Sequence, residues 1–253
     1  MRIEAGHHAR EHLSMEMPIL YAEHLVNSYG KDDVITDLLD KRDIYFIPML
    51  NADGAEFDIS TGSYKMWRKN RKSNGNSNCA GVDLNRNYGF HWGTGGSSDN
   101  TCSDVFMGPT AFSEPETRAV KQFVESRPNL KILLTFHTFS ELILYPWGHK
   151  YEPIANAKDL SAYKTMAQTM ARWNGYTPEQ SSELYIASGD TTDWSYGTLG
   201  IFSFTFELSP KDMWGGGGFY PGSGAINTTF QANLQPVIRF LRGENFGRGK
   251  EKN

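Results

Sequence analysis

The sequence predicts an α/β fold whose sheet is covered on both faces, and three observations carry that prediction. Short runs rich in β-formers alternate with stretches of helical periodicity along the chain. Several of those runs are continuously apolar, as strands buried on both faces are. At 253 residues the chain is long enough to bury a sizeable core. The expected organisation is one domain over residues 1–245 and a polar, disordered tail at 246–253, with no repeats and no interdomain linker.

Taken in order, a short apolar-leaning stretch (Ile3, Ala5) ends at Gly6. A helix runs from there to about Asn27 on the spacing of Leu13, Met17, Leu20, Tyr21 and Leu25. A short helical pattern spans Asp33–Leu39. Residues 43–50 read as a strand buried on both faces, closed by a turn at Asn51-Ala52-Asp53-Gly54. From Ile59 to about Pro109 the chain is rich in Gly, Ser and Asn and is expected to lack regular structure, as long functional loops do. Ser113, with Glu116 three residues on and Pro115 in the first turn, should cap a helix to about Ser126. Lys131–His137 and Leu142–Tyr145 follow as strands. Ser161–Asn174 is a helix stopped by Gly175. Gly200–Leu208 is a strand, Gly215–Gly218 a glycine loop, and Ala225–Arg242 the last helix.

Bulk properties exclude several classes. With 25 basic and 29 acidic residues, no strong charge argues for nucleic acid or an anionic membrane. No apolar run reaches the roughly 18–20 residues of a membrane span, and nothing resembles a signal peptide. Cys79 and Cys102, the two cysteines, lie in the Gly/Ser/Asn-rich region and read either as unrelated thiols or as a bridge. A bridge would close a loop of roughly 24 residues, worth about 3 kcal/mol on a chain-entropy argument.

Polar residues stand where a core would not put them. If the first helix begins near Ala9, His8 and Glu11 lie at a strand-to-helix junction and can converge on one point. An imidazole and a carboxylate so placed suit Zn²⁺, which needs one more protein ligand and an open position for catalysis. His-x-x-Glu is common on helix surfaces, so the pair alone decides nothing. His137 closes an apolar strand at its carboxyl end, the ligand edge of an α/β sheet, and reads either as a satisfied core residue or, with His8 and Glu11 in the same chain, as the expected third ligand. Glu207 closes another. A buried carboxylate needs a partner or a function, and a base beside a metal site is one such function. Arg68, Arg71 and Arg86, with Asn85, crowd the long loop. They form either a solvated basic face or an anion-recognition site, since guanidinium forks pair with carboxylates.

The sequence resembles the zinc metallocarboxypeptidases of the carboxypeptidase A/B family, most of all their bacterial carboxypeptidase T branch. The matching blocks are Gly6-His7-His8-Ala9-Arg10-Glu11-His12, Asn51-Ala52-Asp53-Gly54, Trp67-Arg68-Lys69-Asn70-Arg71, Gly81-Val82-Asp83-Leu84-Asn85-Arg86-Asn87, Phe136-His137-Thr138, Tyr185, Asp193-Trp194-Ser195-Tyr196 and Phe204-Thr205-Phe206-Glu207-Leu208, in family order. The resemblance implies a three-layer α/β/α fold with a mixed, mostly parallel sheet. It implies one Zn²⁺ held by His8, Glu11 and His137, with Glu207 as general base and Arg68 stabilising the oxyanion. Asn85, Arg86 and Tyr185 would grip the terminal carboxylate of a peptide or protein substrate, and Arg10 would contact it upstream. Thr192 would floor the pocket for the departing residue, with Asp190 nearby and Leu144, Gly148 and Ala187 along its walls. Asp190 resembles an acid of the carboxypeptidase T branch and implies acceptance of both apolar and basic C-terminal residues; its plain alternative is a solvated turn residue. The resemblance also implies a Cys79–Cys102 disulfide and a secreted origin.

The sequence departs from the family in two places. The family carries a further helix and β-hairpin before the zinc motif, so an uncovered sheet edge, and a monomer or weak homodimer, are the expectations. Calcium binding is left open. Phe139 stands where many relatives have tyrosine. Three competing readings are an amidase acting on peptidoglycan, a zinc-dependent peptide-binding module without turnover, and a non-functional short form. The Asn85, Arg86 and Tyr185 clamp argues against the first, and the retained Glu207 against the second.

Overall fold

The strand that opens the chain, β1 (Arg2–Ala5), lies inside the sheet rather than at its edge. A computed structural model describes residues 1–75 and 77–243, so the expected tail at 246–253 lies outside the described residues. After β1 come α1 (His12–Ser28), α2 (Asp33–Lys41), β2 (Tyr45–Ile47) and α3 (Ala52–Ile59). A long loop follows, carrying 3₁₀ turns at Ser77–Cys79 and Leu84–Arg86, and then α4 (Pro115–Glu125), β3 (Ile132–Thr138) and β4 (Leu142–Tyr145). The remainder is α5 (Ala157–Asn174), β5 (Thr177–Gln180), α6 (Ser181–Leu184), α7 (Thr191–Leu199), β6 (Phe202–Leu208), α8 (Met213–Gly216) and α9 (Gly224–Arg242). Among the described residues no helix is long and apolar enough to cross a membrane.

The strands form one sheet in the order β2-β1-β3-β6-β4-β5. Every pairing is parallel except that of β4 with β6, so the sheet is mixed and mostly parallel. Its two faces differ in a way the sequence encodes. On β3 and β6, Leu134, Phe136, Phe204, Phe206 and Leu208 enter a large core with Tyr21 of α1, Tyr163 of α5 and Phe240 of α9. On the other face Leu133 meets Val120 and Val124 of α4 and Trp194 of α7. Residues 135, 137, 203, 205 and 207 share that second face by the period of two and are Thr, His, Ser, Thr and Glu. Apolar packing therefore gives way to polar side chains towards the carboxyl ends of the central strands.

Four expectations are corrected. The strand over residues 43–50 shrinks to Tyr45–Ile47 and is half-buried, because it is the outermost strand and pairs with β1 alone. Asn51–Gly54 is the first turn of α3: Asn51 Oδ1 accepts from the Gly54 N–H at 3.1 Å, and one side-chain preference serves both turns and N-caps. Glu114, not Ser113, is the N-cap of α4, and Ser113 Oγ donates to its carboxylate. α1 begins at His12 rather than near Ala9. α7 escaped notice because Thr191, Thr192 and Gly197 are poor helix formers. Asp190 caps one end, Gly200 closes the other in the left-handed conformation, and five consecutive residues of α7 are buried.

A fully buried pair ties β1 to α7. Arg2 Nε lies 3.1 Å from Glu4 Oε2, and the Thr191 hydroxyl donates to Glu4 Oε1 at 3.0 Å. Ser203 Oγ donates to the carbonyl of Thr192, holding α7 against β6.

Candidate active site

At Gly6 the chain leaves β1 with a φ of +74°, and a Cβ there would press on Met15, Met49 and Leu50. Glycine fits this bend. It delivers His8 to the end of β1, and a turn closed by the Glu11 N–H on the His8 carbonyl brings Glu11 back beneath it. Glu11 is the N-cap of α1 yet makes no side-chain capping bond. Its carboxylate is used elsewhere: Oε1 lies 2.7 Å from His8 Nδ1, and Oε2 lies 2.9 Å from His137 Nδ1. The two Nδ1 atoms are 3.2 Å apart. Ligand atoms around a tetrahedral zinc, with bonds of about 2.0–2.1 Å, stand roughly 3.3 Å apart.

That donor set fits a cation. Two imidazole nitrogens facing each other across a carboxylate are a poor mutual hydrogen-bonding arrangement and a good ligand set. Asp83 Oδ1 lies 3.2 Å from His8 Nε2 and can accept its N–H, the tautomer that leaves the Nδ1 lone pair to a cation. Burial, assisted by Arg68, holds the His8 pKa below its ordinary value, so the neutral ring is favoured. Burial also opposes a charge on His137, but Glu11 outweighs it and raises that pKa. For Glu11 burial is outweighed by the two histidines, which hold the carboxyl well below the usual range.

Asp83 is the functional side chain that sequence reasoning missed. It is buried between Val82 and Leu84, and its Oδ2 accepts from Arg68 Nε at 2.9 Å. An acid flanked by two apolar residues was the signal, the same one that exposed Glu207.

Glu207 is the register partner of His137 across β3 and β6. Burial, only partly opposed by His137, pushes its carboxyl up. Around this edge one cavity is lined by His8, His137, Glu207, Asn85, Arg86 and Tyr185, and also by Leu144, Gly148, Ala187, Asp190 and Thr192. Ser181, Leu184 and Thr205, which the sequence did not single out, complete it. Arg86 is buried; its Nε donates to the Gly96 carbonyl at 3.0 Å and Nη1 to the Asn85 carbonyl at 2.8 Å. Gly96 has a φ of +64°, and a Cβ there would collide with the Ile186 carbonyl. Asn85 Oδ1 accepts the Thr191 N–H at 3.0 Å, which leaves its amide N–H groups to bind a ligand. Tyr185 is about half exposed, with its ring 5.7 Å from the Arg86 guanidinium.

Asp190 is buried, not a solvated turn residue. Its Oδ1 caps α7, whereas its Oδ2 is buried with no hydrogen-bond partner among the described residues. Arg10 stands apart from the cavity lining, near Asp104, with its guanidinium 4.3 Å from the Phe219 ring centroid. Phe139 packs edge-on against the same Phe219. Cys79 and Cys102 form a disulfide.

Residues 1–236 match the family described as zinc carboxypeptidase. The chain belongs to that family. It is 40% identical over 242 residues to a zinc carboxypeptidase of Saccharothrix mutabilis subsp. capreolus, covering 92% of this chain and 55% of that protein. It is 36% identical over 219 residues to carboxypeptidase B of Bos taurus, covering 84% of this chain and 52% of that one. The crystal structure of thrombin activatable fibrinolysis inhibitor superposes with a TM-score of 0.88 at 30% identity, covering 98% of this chain and 62% of that one. The chain thus spans about half the length of these two curated relatives. Within the matched residues lie the mixed sheet and the His8, Glu11 and His137 cluster, which could hold a metal ion.

Proposed function

We propose that this protein is a zinc-dependent exopeptidase that removes single residues from peptide C-termini, accepting both apolar and basic residues. The observation that carries the reading is the cavity itself: His8 and His137 of the His8, Glu11 and His137 cluster, the Glu207 carboxylate and the Arg86 guanidinium border one space. His8, Glu11 and His137 would hold Zn²⁺. When bound, the ion supplies Lewis acidity to the scissile carbonyl and makes water a stronger nucleophile at neutral pH.

The chain's own residues supply the rest. Arg86, with the Asn85 amide and the Tyr185 hydroxyl, would bind the terminal carboxylate and so restrict cleavage to the last peptide bond. Glu207 would take the proton of the attacking water on its carboxylate and return it to the departing amine. Its burial, which favours a bound proton, suits the second half of that cycle. Arg68, held by Asp83, would neutralise the charge developing on the carbonyl oxygen. Leu144, Ala187 and Thr192 offer apolar walls and a small floor to the departing side chain, and Asp190 Oδ2 offers an acceptor to a basic one. Arg10 would meet the substrate further upstream. The disulfide supports an oxidising, secreted setting.

The test compares N-blocked dipeptides ending in Phe or Arg, each as the free acid and as the amide. Cleavage of both acids and neither amide is the expected result. Equal cleavage of acid and amide would remove the carboxylate clamp from the account. Stoichiometric zinc binding without cleavage of any substrate would favour a peptide-binding module.

A further inference from the structure

Asp190 is not the only buried carboxylate beside the cavity. Asp193, one turn along α7, is fully buried. Its oxygens accept the Gly148 N–H at 2.9 and 3.1 Å and the His149 N–H at 3.0 Å, and lie 2.6 Å from His149 Nδ1. Gly148 is itself a wall of the cavity, and a Cβ placed on it would stand 3.3 Å from Asp190 Oδ2. The His149 ring is held in place by His91, stacked at 4.1 Å and 8° from parallel, and by the edges of Phe90 and Trp147.

We infer that His149 is a specificity-determining positioning residue, which sets the charge on Asp190 through Asp193 and so governs acceptance of basic C-terminal residues. The inference rests on the carboxypeptidase reading above.

The argument is one of competition. Two carboxylates on one helical turn, both out of water, are costly to ionise together and titrate as a pair. Burial pushes both carboxyls up to about 7, and for Asp190 the charge of Asp193 adds to the effect. The single negative charge settles on whichever carboxylate is better served by donors. Asp190 has the Thr192 N–H, the Thr192 hydroxyl and the Asp193 N–H, all on Oδ1, and Oδ2 is bare. Asp193 has two backbone N–H groups spread over both oxygens and, in addition, the His149 imidazole. While His149 donates, the charge rests on Asp193 and the bare oxygen of Asp190 stays neutral. Without that donor the charge moves to Asp190, where a guanidinium or ammonium in the cavity would meet it. Other charges that bear on the group are Arg86 on Asp190, Lys150 on Asp193, and Lys150, Asp190 itself, Glu152 and His91 on His149.

The readout is the ratio of kcat/KM for blocked dipeptides ending in Arg and in Phe, followed against pH on the zinc-loaded protein. The ratio cancels every group that acts equally on both substrates. In the unaltered protein it rises with pH as Asp190 ionises. His149→Phe keeps the ring stack and removes the donor, so the midpoint should move to lower pH by about one unit. His149→Asn retains a donor for Asp193 and should restore the original midpoint. Asp193→Asn removes the competing charge and should move the midpoint as His149→Phe does; it decides the matter if His149→Phe does not fold. An unchanged midpoint in these variants overturns the inference, and so does an equal shift in His149→Asn and His149→Phe, which would assign the effect to ring packing. Asp190→Asn is the separate control. If it leaves the Arg/Phe ratio unchanged, the pocket reading of Asp190 fails rather than the relay.

Discussion

His137 and Glu207 are direct register partners on adjacent parallel strands, so a candidate metal ligand and a candidate base leave the same face of the sheet side by side. A one-residue slip between β3 and β6 would send one of them into the apolar core with Phe136 or Phe206. The register that fills the core is thus the register that assembles the site.

Glu207→Gln keeps the size and removes the base. Turnover should fall by about 10²–10⁴ while zinc content and KM change little. Steady-state rates with metal analysis on the same sample check this, and unaltered turnover would dismiss Glu207 as the base.

Arg68→Lys keeps a positive charge beside Asp83 but loses the fork. kcat should drop by about 10²–10³ with KM nearly unchanged. Arg68→Ala takes from the buried Asp83 the guanidinium on its Oδ2 and leaves it the His8 ring and the Asn85 N–H, and should also cost up to roughly 3 kcal/mol in urea unfolding.

Asp83→Asn weakens the partner that orients His8. Zinc affinity, measured by competition with a chromophoric chelator, should fall about 10–100-fold. Unchanged affinity would mean that the ring is held by packing alone.

Asp190→Asn bears on stability as well as on specificity. Asn caps a helix about as well as Asp, so α7 keeps its cap. The Asp190 carboxyl is raised from 3.8 to about 7 in the folded chain. Below pH 4 both states are protonated and the residue is neutral in its effect. Between pH 4 and 7 the folded state holds a proton that the unfolded state releases, so stability falls as pH rises and levels off above 7. The variant should therefore gain on the parent protein by at most about 4 kcal/mol at pH 8, and by little at pH 4. Paired melts at the two pH values check this; an equal difference at both would contradict it.

The central strands were legible because β3 and β6 are short runs dominated by apolar β-formers, whereas the unlike character of the two sheet faces, set by their polar residues at alternate positions, was not read from them. His137 and Glu207 stood out because each interrupts an apolar run. Asp83 was equally visible by that criterion, but it sits in a loop segment where no strand pattern drew attention to it. α7 was hidden because its helix is imposed by the Asp190 cap and by burial of Trp194 rather than by propensity. The relation of His149 to Asp193 could not be read at all, since it spans 44 positions and depends on how β4 and α7 meet.

The most direct test of the account is the initial rate on an N-blocked dipeptide ending in Phe, before chelation, after it, and after zinc is restored. The account predicts cleavage that is lost with the metal and recovered with zinc. Cleavage indifferent to the chelator, or none from a protein that binds zinc one to one, would contradict it.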